Sequence, residues 1–182
     1  MNNSELKGKI ASLLNQFFRS ENENELKELK TGKNHSDMCV SVESSGVDFL
    51  SYQFDKDLAK ENYPYGLFPF FNRSQKGTHS MCDYVIFCLL PGELYILLIE
   101  LKKGGSNVTQ QLNAGKCFVE FVIATLNRLE GLKIHPVIRM VSVRERNKLE
   151  KGTTKQRKAK YDKDGFVEFF GATFNLNLYC VK

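Results

Sequence analysis

The chain has 182 residues, 42% of them hydrophobic and 26% charged, the make-up of one globular domain able to bury a core without staples. No apolar run reaches the length of a membrane span, and the polar opening "MNNSELKGKI" is not a secretory leader. The net charge of +5 is local: residues 144 to 160 hold eight Lys or Arg against two Glu, which leaves −1 for the rest.

In chain order, "SELKGKIASLLNQFF" places Leu6, Ile10, Leu13, Leu14 and Phe17 at helical spacing behind Ser4 as a cap, predicting an amphipathic helix. "ENENELKELK" reads as a charged extension or a second short helix. "MCVSVES" and "VDFLSYQF" read as strands about a turn at Ser44 to Gly46. Residues 55 to 81 combine Tyr63, Tyr65, Phe68, Phe70 and Phe71 with Pro64 and Pro69, so a long connection is expected. Its aromatics either pack onto the core or stack on nucleobases beside Arg73 and Lys76.

"CDYVIFCLL" and "LYILLIELK", separated by "PGE", predict a tight hairpin. A long helix follows, with Val108, Gln111, Gly115, Phe118, Val122, Thr125 and Leu129 on one stripe, Ser106 or Asn107 as cap and Gly131 as stop. "HPVIRMVSV" is a strand expected to return parallel to the run ending at Lys102. "GFVEFF" and "ATFNLNLYCV" read as a C-terminal hairpin over about 165 to 181, with Phe174, Leu176, Leu178 and Cys180 alternating as in a half-buried strand. Five cysteines form no CxxC pair, and Cys82, Cys88, Cys117 and Cys180 lie in apolar segments. Buried reduced thiols and a cytoplasmic protein are expected.

"ELK" occurs four times, and the fourth copy, Glu100-Leu101-Lys102, closes an apolar run. Folding the hairpin about Pro91-Gly92 makes cross-strand partners sum to 183, so Asp83 faces Glu100, Val85 faces Leu98 and Phe87 faces Ile96. Partners share a face about 5 Å apart, and alternation adds Lys102 to that face. Adjacent carboxylates repel unless a cation joins them, and hard oxygen donors suit Mg²⁺ or Mn²⁺. Lys102 then stands where it could position a water or offset phosphoryl charge. The bland alternative is a strand-end ion pair of Glu100 and Lys102, with Asp83 solvated.

Asp83 followed by Glu100-Leu101-Lys102 across a strand–turn–strand resembles the PD-(D/E)xK nuclease superfamily, over roughly residues 4 to 143. The resemblance implies a restriction-endonuclease-like α/β fold: a mixed sheet flanked by helices, with a helix–strands–hairpin–helix–strand core and added C-terminal β-structure. It implies Asp83, Glu100 and the Leu101 carbonyl as metal ligands, Lys102 as the residue assisting the nucleophile, and Gln111 orienting the lysine or a phosphate. Cys82 stands where the motif has proline. The family's extra carboxylate has only Glu5 and Glu21 as candidates.

No zinc spacing joins His35, His79 and His135, and no nucleotide-binding glycine loop or GxSxG elbow occurs. His79, four residues before Asp83, reads as a loop histidine or a phosphate contact. Residues 144 to 160 are a solvated loop or a phosphate-binding arm, in which Arg144, Arg146, Lys155, Arg157 and Lys158 are the candidate contacts. The expectation is a Mg²⁺- or Mn²⁺-dependent nuclease acting on DNA in preference to RNA, alone, as a homodimer or with a partner subunit. The alternative is an inactive nuclease-like module binding nucleic acid or a protein partner.

Overall fold

The computed structural model describes residues 1–28, 38–54, 67–72, 74–102, 108–144 and 158–181. At its centre β4 (Tyr84–Leu90) and β5 (Glu93–Lys102) form the expected hairpin. Gly92 takes a φ of 76°, the left-handed value that follows proline in a tight turn. With only two residues in the turn the register has no freedom: Val85 pairs with Leu98 and Phe87 with Ile96, as the sum of 183 requires.

These two strands sit inside a five-stranded sheet with β3 (Asp48–Gln53), β6 (Val137–Arg144) and β7 (Phe166–Phe170), in the order β3-β4-β5-β6-β7. The first three run antiparallel, and β6 and β7 run parallel to β5. A smaller mixed sheet of β1 (Glu25–Glu28), β2 (Met38–Glu43) and β8 (Thr173–Asn175) is ordered β1-β2-β8. Helices α1 (Asn3–Leu13) and α2 (Thr109–Glu130) pack against the large sheet, and α3 (Leu176–Tyr179) is one turn near the C-terminus.

The layering explains the unbroken apolar run of β5. Ile96 and Leu98 join Ile10, Leu112, Val119 and Val122 on the helical face, while Leu97, Ile99 and Leu101 join Leu26, Val40 and Phe174 on the other. A strand covered on both faces needs no polar alternation.

Several expectations are corrected. "ENENELKELK" contributes a strand, β1, through Glu28. Its Glu, Leu and Lys favour helix, but Leu26 is fully buried under the large sheet and pairing with β2 overrides that weak preference. The turn at Ser44–Gly46 exists, with φ of 47° at Ser45 and 87° at Gly46, yet it carries the chain from one sheet to the other. The C-terminal hairpin does not form: β7 joins the large sheet and β8 the small one. Beyond β8, Asn175 accepts a hydrogen bond from the Asn177 amide and starts α3, so Leu176 and Leu178 are helical.

Asn2, not Ser4, caps α1, accepting from the Glu5 amide at 2.8 Å. The helix ends at Leu13, and a separate 3₁₀ turn holds Phe17. On α2 the buried stripe runs through Leu112, Gly115, Val119, Val122, Ile123 and Leu126, rotated from the expected one, and Leu129 is exposed. Gly131 ends it with a φ of 64°, as expected. Ser106 and Asn107 lie outside the described residues, as do Tyr63, Pro64 and Tyr65. Cys82, Cys88 and Cys180 are buried thiols, whereas Cys117 is exposed.

Candidate active site

Asp83 is the residue before β4, one step past the last pair of the hairpin, opposite Glu100. There its side chain replaces the main chain in the ladder: Oδ2 accepts the Leu101 amide at 2.6 Å. In an antiparallel ladder the N–H and C=O of one residue point to the same neighbour. The Leu101 carbonyl therefore faces the edge occupied by Asp83. Glu100 and Lys102 project to the helical face, and Lys102 Nζ meets Glu100 Oε1 at 2.7 Å.

Burial separates this group from ordinary surface charge. Five polar or charged residues are buried among the described residues: Ser20, Ser51, Asp83, Glu100 and Ser142. The first two bond to each other at 2.8 Å. The other three occupy one row across three strands, because Glu100 is in register with Asp83 on one side and Ser142 on the other. Asp83 is 9% exposed, Glu100 2% and Ser142 0%, and burial at this depth disfavours charge unless it is compensated. The row continues to Glu168 on β7, which forms an ion pair with Arg144 at 2.7 Å.

The electrostatics tie the pieces together. Burial alone lowers the Lys102 pKa. The hydrogen bond to Glu100 and the charges of Glu100, Asp83 and Glu28 outweigh it and raise the value above the usual 10.5. Lys102 is thus an ammonium at neutral pH. Burial, then the Glu100 and Asp83 charges, push the Cys82 thiol well up, so the residue before Asp83 is a neutral thiol. Glu28 is the third acidic group acting on Lys102, in contrast to the expected Glu5 and Glu21, which are exposed at the start of α1 and beyond the 3₁₀ turn.

Glu28 is brought there by the aromatic residue next to Asp83. The Tyr84 hydroxyl accepts from the Lys27 amide at 2.9 Å and donates to the Lys27 carbonyl at 3.0 Å, pinning the end of β1 to the large sheet. The sequence signal for Glu28 was another "ELK" copy, indistinguishable from the idle ones without β1. The signal for Ser142 was a lone hydroxyl in an apolar strand, whose place beside Glu100 depends on the β5–β6 register.

Helix α2 packs against β5 and β6. A Cβ on Gly115 would sit 2.6 Å from Cys82 Sγ, so glycine allows the helix its close approach beside Asp83. Gln111 is half-buried one turn earlier, on the Gly115 side of the helix and at the end nearest Lys102 in the chain. His79 has its Nε2 shielded from solvent, with no hydrogen-bond partner among the described residues. Lys76 and Lys158 are exposed; Arg73, Arg146, Lys155 and Arg157 lie outside the described residues.

The donor set suits a hard divalent ion. Two carboxylates and a peptide carbonyl are oxygen donors of the kind Mg²⁺ and Mn²⁺ take, with waters and substrate oxygens completing the shell. Among the described residues no group of three or more His, Cys, Asp or Glu is placed to hold a metal ion. Comparison with protein-family models, with characterised proteins and with solved structures finds no match for the chain.

Proposed function

We propose that this chain is a metal-dependent phosphodiesterase of the PD-(D/E)xK type, an endo- or exonuclease acting on DNA in preference to RNA. Its α/β framework would then be restriction-endonuclease-like. The observation that carries the reading is the buried pair Asp83 and Glu100 on adjacent strands, with the Lys102 ammonium against Glu100. The order α1, β3, β4, β5, α2, β6 supports the framework.

Asp83, Glu100 and the Leu101 carbonyl would hold Mg²⁺ or Mn²⁺. When bound, the ion supplies Lewis-acid polarisation of the scissile phosphate and a more acidic water. The protein's own part is electrostatic. Lys102, protonated at neutral pH, donates to a phosphoryl oxygen as charge builds in the transition state and does not accept a proton. Gln111 orients the lysine or a phosphate oxygen. A second reading, a non-cleaving module for nucleic acid or a protein partner, is favoured by the Glu100–Lys102 ion pair, which already offsets one carboxylate.

The test is incubation of supercoiled, linear and single-stranded DNA, and of RNA, with Mg²⁺ or Mn²⁺, wild type beside Lys102→Ala. Metal-dependent cutting that falls about a hundred-fold or more in the variant is expected. Nicking of the supercoiled form identifies an endonuclease. Equal binding by both proteins with no cutting under either metal leaves the second reading.

A further inference from the structure

Three of the six large hydrophobic side chains exposed among the described residues border one groove: Phe70 at 75%, Phe71 at 47% and Phe121 at 68%. The groove encloses about 470 Å³, with Phe68, Cys117 and Phe118 also in its wall. Its rings meet at steep angles, 65° between Phe68 and Phe118 and 57° between Phe70 and Phe71. Phe70 and Phe121 nevertheless keep most of their ring surface open, which suits a planar occupant.

The groove adjoins the candidate active site through both of its walls. One wall includes Gly77, Thr78 and Ser80, and Asp83 follows three residues after Ser80, at most about 11 Å along the chain. On the other, α2 turns Ala114 to the groove while the adjacent Gly115 packs on Cys82, beside Asp83. Gly77, at a φ of 89°, brings the first wall against the Gln110 side chain of the second. Exposed Lys76 directly precedes Gly77 of that wall. Both walls of the groove thus lead along the chain to the neighbourhood of Asp83.

We propose that this groove stacks unpaired nucleobases and presents single-stranded nucleic acid to the Asp83–Glu100 site; its delivery role rests on the phosphodiesterase reading. Bases in a duplex cover each other's faces, so only an unpaired strand or a frayed end offers a face to phenylalanine. Sequence preference is weak, because every base has such a face.

The test is fluorescence anisotropy in EDTA, where cleavage cannot interfere. The probes are a labelled thymidine 20-mer, a duplex of equal length and a 20-mer carrying abasic sites. Wild type should hold the thymidine strand more tightly than either other probe. Phe70→Ala with Phe121→Ala should lose about ten-fold on that strand and nothing on the abasic one, and Phe121→Trp should retain the affinity. No loss, or equal loss on both strands, overturns the proposal. So does a change from dimer to monomer in the double variant by light scattering, which would make the groove an interface between copies. Wild-type cleavage assayed with Mg²⁺ or Mn²⁺ separates the two readings: ring-dependent binding alongside absent cleavage by the wild type upholds stacking and sinks catalysis. Metal-dependent cutting without ring dependence does the reverse.

Discussion

Asp83 performs two tasks that substitution can divide. Its Oδ2 satisfies the Leu101 amide at 2.6 Å, and its charge belongs to the proposed metal shell. Asp83→Ala leaves a buried amide unsatisfied and should cost about 1–3 kcal/mol in urea unfolding, whereas Asp83→Asn retains an acceptor and should cost less than half of that. Both should abolish cutting; equal stability losses would rule out the structural task. Lys102 can be examined through pH. Its pKa in the folded chain lies above the usual 10.5, so its ion pair contributes fully below the pKa of an unfolded lysine and fades as pH rises through the folded value. The stability gap between wild type and Lys102→Met should therefore stay level from pH 8 to about 10 and shrink above that. A gap that changes across neutral pH would assign the coupling to another group.

At the scale of elements, the contact between α2 and the strand end decides how closely the helix covers the site. Gly115→Ala gains about 1 kcal/mol of helix propensity, yet its Cβ would lie 2.6 Å from the Sγ of Cys82, which is fully buried. A net loss of about 1–3 kcal/mol is expected in thermal unfolding. Cys82→Ala in the same chain should recover most of it, and additive losses would show that the two do not touch. β1 shows the same principle from the opposite side. One buried leucine and the Tyr84 hydroxyl on Lys27 hold four residues as a strand, which places Glu28 within electrostatic reach of Lys102.

For the whole molecule, the charge distribution predicts how a polyanion is held. Arg144 is engaged by Glu168, while Lys76 and Lys158 are open to solvent. Affinity for a single strand should fall linearly with log salt, at about −0.7 per phosphate contacted. Lys158→Glu should flatten that slope by about one contact without altering base preference. An unchanged slope would remove Lys158 from the interface. No helix among the described residues is long and apolar enough to cross a membrane.

What could be read directly from the residues was whatever a short-range signal controls. Pro91-Gly92 closes β4 on β5 with no slack, so the facing of Asp83 and Glu100 follows from counting, and Gly131 ends α2 because a left-handed turn suits it. The tertiary structure alone decided the rest. Leu26 draws β1 into a strand against its propensity, "GFVEFF" and "ATFNLNLYCV" divide between two sheets, and the β5–β6 register puts Ser142 beside Glu100. Each of those outcomes depends on which distant surface a segment can bury. Propensity and periodicity describe a segment's own preferences over a few residues, and burial against partners tens of residues away outweighs them.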